Sequence, residues 1–146
     1  MRRFWVSAAI LGVILAVGGV ASGEDVGFKI IVNSSNPIES IARSELSNIF
    51  LKQETSWPDG QVVLPVDQKE SSQVRADFCR VILRRPVAAV KSFWQKQIFS
   101  GSAVPPVEKN SSEEVVGYVN AFHGAVGYVG PTTSLSSGVK VIRLME

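Results

Sequence analysis

Ser44–Phe78 reads SELSNIFLKQETSWPDGQVVLPVDQKESSQVRADF, and the order of its patterns decides the fold class. Leu46, Ile49 and Phe50 fall at i, i+3 and i+4, one apolar helix face. Ser44 is placed to cap that helix, with Glu45 in its first turn. Trp57-Pro58-Asp59-Gly60 is a turn, because Pro fixes φ and Gly accepts positive φ. Gln61–Val66 is a strand, which Pro65 confines to a sheet edge or a strand end. Ser72–Arg84 returns to a helical period, with Val74, Phe78, Val81 and Ile82 on one face and Asp77, Arg80 and Arg84 facing away. A polar, Ser-rich loop joins this strand to this helix. Such a junction is a physical template for an oxyanion, since N–H groups point outward from a helix N-terminus and the dipole favours negative charge.

Upstream, FKIIV (Phe28–Val32) is a short buried strand closed by the turn Asn33–Pro37. Ile38–Arg43 is ambiguous. Downstream, Arg85-Pro86 breaks the helix, and Pro86 starts another that carries Val90, Phe93, Trp94, Ile98 and Phe99 and stops at Gly101. Pro105–Asn110 reads as a loop. Ser111 with Glu114 is a capping box opening a helix with Val115, Val116, Tyr118 and Val119. Gly124–Gly130 is a glycine-flanked strand, and Val139–Leu144 an alternating one. Strand, helix, strand, three helices, strand, strand fits an α/β domain, a sheet covered by helices, with the pairing left open.

The chain has 146 residues, enough for one domain. Residues 1–23 have the layout of a secretory signal peptide: Arg2 and Arg3, an apolar Val6–Val20, then Ala21-Ser22-Gly23. An uncleaved membrane anchor is the alternative, against which the apolar core is short. Residues 24–146 are then the single domain, exported to the periplasm or secreted. Removing Arg2 and Arg3 leaves 13 basic against 13 acidic residues, so the basic footprint that nucleic-acid binding requires is missing. Cys79 is the one cysteine, in a helix beside Phe78, and reads as a buried, inert thiol. His123, the one histidine, sits at a helix-to-strand turn, where a structural or solvent-exposed role is the simpler account. No metal site can be assembled from this set, and no nucleophile, base and orienting group come together by spacing, so an enzyme is not expected. No cofactor is implied. Trp57 and Trp94 read as packing residues. Asn33-Ser34-Ser35 could contact a ligand, although a turn suffices.

The segments NSSNPIESIARSELSNIFL (33–51), SWPDGQVVLPVDQKESSQVRADF (56–78), VKSFWQKQIFSG (90–101) and GAVGYV (124–129) together resemble the phosphate-binding proteins of bacterial ABC transporters. More closely, they resemble the short, single-lobe members of that periplasmic-binding-protein superfamily. The resemblance covers roughly Phe28–Val129 and rests on the ordered set of motifs. It implies an α/β fold, one lobe of a Venus-flytrap protein, in which a mixed sheet is covered by helices. It also implies a ligand position: an Arg followed by a Gly-Ser-Gly-Thr loop at a helix start. Here Gln68 stands in place of that Arg, and Ser71-Ser72-Gln73-Val74 in place of the loop. Only Ser72 matches a ligand position.

Two readings of this junction remain. In one, Ser71 and Ser72 donate to phosphate or a similar oxyanion, assisted by Gln68, Lys69 and Arg75. In the other, Ser72 is an ordinary N-cap, and Glu70 repels an anion. In the first reading, a lone lobe is expected to bind weakly. If a two-lobe site reaches about 1 μM, half its free energy corresponds to about 1 mM. A second copy forming a homodimer, or another protein, would have to complete the cleft. The partners implied are an oxyanion and an ABC transporter permease or sensor protein. The alternative is an interaction or sensory module that keeps only the lobe.

Overall fold

The computed structural model describes residues 26–146. The expected signal peptide, residues 1–23, lies outside them. Among the described residues no helix is long and apolar enough to cross a membrane.

The described residues form one mixed sheet of six strands: β1 Lys29–Asn33, β2 Ser40–Ala42, β3 Leu64–Gln68, β4 Val107–Lys109, β5 Ala125–Val129 and β6 Val139–Met145. Their spatial order is β2-β6-β1-β5-β3-β4. β1 runs antiparallel to both β5 and β6, whereas β3 is parallel to β4 and β5, and β2 to β6. The helices are α1 Arg43–Phe50, α2 Gln73–Phe78, α3 Val87–Phe99 and α4 Ser112–Ala121. The α/β lobe architecture expected from the sequence is the one observed.

Two apolar cores lie on the two faces of the sheet. On one, Ile30, Val32, Val126 and Tyr128 pack against Leu46, Ile49 and Phe50 of α1, Phe78 of α2, and Val90 and Trp94 of α3. On the other, Ile31, Val66, Ala125 and Val129 meet Val115, Val116 and Val119 of α4. The alternation of Ile30 and Val32 against Ile31 is the two-residue pleat period. β5 is buried along its whole length, as its uninterrupted apolar sequence implies for a strand covered on both faces. Phe28, Phe50 and Phe78 surround Tyr128, and the Phe78 ring stacks on it at 4.0 Å between centroids.

Several local expectations are corrected. Ser44 does not cap α1; the helix begins at Arg43 behind Ala42, which makes no side-chain cap bond. The reason is that Ser40–Ala42, ambiguous in sequence, pairs with β6, so the chain enters the helix directly from a strand. Residues 105–110 are not wholly loop, since Val107–Lys109 pairs with β3. Pro65 does sit near a strand end, for pairing with β4 starts only at Val66. Beyond Phe78 the helix widens into a π-turn, Cys79–Leu83, and stops at Arg84 with φ 53°. Arg43 Nη1 donates to the Ile82 carbonyl at 2.8 Å, satisfying one of the acceptors left at that helix end. Ile98 and Phe99 are exposed and do not join the core face of α3. Ser111 caps α4 as expected, accepting from the Glu114 N–H, but the reciprocal bond of the box is shifted by one residue: the Glu114 carboxylate accepts from the Asn110 N–H. Asn33, at the end of β1, is buried and donates to the Val119 and Asn120 carbonyls of α4. Trp57 and Trp94 are both buried, and Trp57 Nε1 donates to Gly124 O.

Gly127 of β5 lies under α4 with no room for a side chain. A Cβ there would stand 2.6 Å from Val115 Cγ1 and 2.7 Å from Val66 Cγ1. Gly127→Ala is therefore expected to destabilise the fold by about 1–3 kcal/mol through overpacking. A urea unfolding curve would show it as a lower midpoint at unchanged slope. A midpoint equal to wild type would mean that α4 can move off β5 at no cost.

Candidate functional site

β3 ends at Gln68, and its side chain crosses the space between the starts of α2 and α4. Gln68 Nε2 donates to the Tyr128 carbonyl at 3.0 Å and to Ser112 Oγ at 3.2 Å. Gln68 Oε1 accepts from Ser72 Oγ at 2.8 Å. Ser72 is the N-cap of α2, and its Oγ also accepts from the Arg75 N–H at 3.2 Å. Ser112 Oγ, in the first turn of α4, accepts from the Gly130 N–H at 3.0 Å. A Cβ on Gly130 would lie 3.3 Å from Thr133 Oγ1 and 3.8 Å from both Ser112 Oγ and Val74 Cγ2. One end of the sheet thus gathers Gln68, Ser72, Val74, Ser112, Gly130 and Thr133. A single buried amide links its two serine hydroxyls.

Beneath this layer lies a buried ionic cluster. Asp67 accepts from Tyr128 Oη and from the Gln68 N–H. Arg75, only 4% exposed, donates from Nη1 to the Gln68 carbonyl at 2.7 Å and to Glu108 Oε2 at 3.1 Å, while its Nη2 lies 3.6 Å from Asp67 Oδ2. Burial raises the Asp67 pKa above the usual carboxylate range, and the opposing pull of Arg75, Tyr128 and the Gln68 N–H does not cancel it. Burial acts downward on Arg75, but Asp67, with Tyr128, Cys79 and Glu108, outweighs it and holds the guanidinium charged. Burial raises Tyr128, and the Asp67 carboxylate raises it further. Cys79, fully buried, is pushed up to about 11 by burial and by Asp67, with Arg75 opposing.

Of the five residues singled out from sequence, the structure brings Gln68, Ser72 and Arg75 together. Each of these three already has partners inside the chain. Lys69 and Ser71 lie exposed in the connecting loop, and no side-chain bond draws them toward the other three. Glu70, also exposed, pairs with Lys91 at 3.2 Å. Asp67 and Arg75 also line a cleft of about 170 Å³, together with Trp94, Ile98, Pro106, Glu70, Lys91 and Glu108. Its carboxylates offset its cations. Tyr128, Glu108, Ser112 and Gly130 were missed in sequence. For Tyr128 a signal existed: a Tyr in an otherwise apolar buried strand needs a partner for its hydroxyl.

No protein-family model matches the sequence, and no curated protein matches it. Solved structures do. An ABC-type phosphate transport receptor from Vibrio cholerae superposes with TM-score 0.64 at 25% identity, covering 81% of this chain and 46% of the receptor. A phosphate ABC transporter substrate-binding protein from Clostridium perfringens, solved with bound phosphate, gives 0.63 at 16%, covering 81% and 44%. PstS from Borrelia burgdorferi gives 0.57 at 15%, covering 81% and 47%. The chain is thus similar to phosphate ABC substrate-binding proteins and spans less than half of each. The single-lobe resemblance read from its motifs holds in three dimensions.

Two outcomes follow from the ionic cluster. Because Asp67 binds its proton more tightly folded than unfolded, its contribution to stability is fully present below the unfolded carboxylate pKa of about 4 and is lost as pH rises through the higher folded value. The stability of wild type minus that of Asp67→Asn, from urea curves, is expected to fall as pH rises above about 4. A difference that rises with pH would reverse the assignment. Cys79 is expected to resist a thiol reagent at pH 8 in the folded protein and to react at once in denaturant. Fast labelling of the native state would contradict its burial.

Proposed function

We propose that this protein is an exported lobe of the phosphate-receptor type that works as an interaction module, its oxyanion seat filled by its own Gln68 side chain. The observation that carries this reading is the bridge Ser72 Oγ–Gln68–Ser112 Oγ. The resemblance puts an Arg at this position in the transport receptors. Here an uncharged amide takes the same polar groups and leaves them satisfied without a ligand. The other cation of the site, Arg75, is neutralised by Asp67 and Glu108. An oxyanion held by Gln68, Ser72 or Arg75 would have to displace an intramolecular bond at each of them, and net hydrogen-bond gains are only about 1 kcal/mol each. The receptor-type fold supports export and a partner from phosphate transport, an ABC permease or a sensor protein. A second reading, weak phosphate binding at Ser71 and Ser72 with Gln68, Lys69 and Arg75 assisting, draws support from the Clostridium perfringens neighbour with its bound phosphate.

Thermal unfolding in 10 mM phosphate against matched chloride separates the two. Affinity near 1 mM would stabilise by about 1.4 kcal/mol. The interaction reading expects no phosphate-specific shift in wild type. It also expects one to emerge in a Gln68→Arg, Val74→Thr double variant, where a buried cation lacks a partner until an anion arrives. A wild-type shift abolished by Ser72→Ala would establish the second reading instead.

A further inference from the structure

A second polar feature lies at the opposite end of α2 from Gln68. The π-turn, the left-handed Arg84 and the start of α3 enclose an open groove of about 490 Å³, lined by Ala76, Arg80, Arg84, Arg85, Pro86 and Val87. Three of its six lining residues are arginines, and none is acidic. The first turn of α3, which forms one wall, carries no acidic residue either. Among the described residues, Arg80 pairs only with Asp77, at 3.7 Å, and this pair is largely exposed on the Arg80 side, at 69%. Such pairs hold weakly. Arg85 is held over the Phe93 ring at 5.6 Å, which orders its stem and leaves its charge uncompensated. The remaining lining is apolar: Ala76, Pro86, Val87 and the arginine stems.

We propose that this groove docks a short acidic segment of a partner protein, with an apolar side chain entering the floor and flanking carboxylates meeting Arg80, Arg84 and Arg85. Charge complementarity selects the sign of the partner, since guanidiniums match carboxylates in planar, two-point geometry. The apolar floor selects against a bare inorganic anion, which would desolvate it for no gain. The concave shape selects against a membrane, whose flat surface cannot enter a groove between two helices. This gives the interaction reading a surface, but its test does not depend on phosphate.

The probe is an array of hexapeptides with two apolar residues flanked by acidic pairs, beside the same peptides with Lys in place of each acid. The full protein is expected to bind members of the acidic set and none of the basic set. Affinity should fall several-fold between 50 and 200 mM salt. Arg84→Gly removes a charge while suiting the left-handed backbone at φ 53°. Combined with Arg85→Gln, it should weaken binding at least tenfold with thermal unfolding unchanged. Arg80→Gln provides an independent variant on a different turn. No preference for acidic peptides would overturn the proposal, as would binding indifferent to these variants. Arginine-dependent binding of phosphatidylglycerol vesicles with no peptide binding would assign the groove to a membrane. Full competition by 10 mM phosphate would assign it to a small anion.

Discussion

The buried Asp67 carboxylate is the constraint around which this lobe is arranged. A charge out of water costs several kcal/mol unless partners surround it, and its partners come from three separate elements. Tyr128 arrives from β5, Arg75 from α2, and the Gln68 N–H from the end of β3 itself. Glu108, on edge strand β4, shares the Arg75 guanidinium. The Tyr128 and Arg75 contacts do not survive a slip of one residue in β3, because a slip in a strand turns every side chain to the opposite face. The Phe78 ring stacked on Tyr128 brings the aromatic core into the same arrangement, so polar register and apolar packing select one geometry.

That geometry decides what the exposed end of the sheet presents. With Arg75 drawn inward by the Gln68 carbonyl and Asp67, the cation nearest the α2 N-terminus does not reach solvent. The Gln68 side chain is aimed at the two serines by a backbone fixed on both sides, its N–H held by Asp67 and Tyr128 and its carbonyl by Arg75. The upper hydrogen-bonded layer therefore inherits its rigidity from the buried charge beneath it.

Periodicity made the long elements legible. Leu46, Ile49 and Phe50 are buried as their spacing required, and the glycine-flanked strand at Gly124–Gly130 forms as β5, buried along its length. The two missed strands, β2 and β4, are three residues each and lie at the sheet's two edges. Their only signature is pairing with chain that is distant in sequence, which no local pattern carries. At the site, the junction after β3 was found from its serines and its likeness to a ligand loop. Its charge state was not, because nearness in sequence offers Arg75 to the loop as an available cation. Only the three-dimensional meeting with Asp67 and Glu108 shows that it is consumed. Ser112 was hidden for a related reason. It lies beside the Ser111 cap with no local pattern of its own, and its bond to Gln68 spans 44 residues.

The placement of positive charge along α2 now has a physical explanation. Position 68 faces the starts of both α2 and α4, where unpaired N–H groups and the helix dipoles already present positive potential. An arginine there is repelled by both helices unless an anion lies between, so it is suited to a lobe that is rarely empty. Glutamine removes that conflict: its amide donates on one side, accepts on the other and needs no ligand to be stable. The opposite end of the same helix has the reverse preference, since carbonyls dominate a helix C-terminus and cations are favoured beside them. Arg80 and Arg84 lie there, and Arg43 caps Ile82 at the same end. The lobe is thus neutral at position 68, and charged where its own helix tolerates it best.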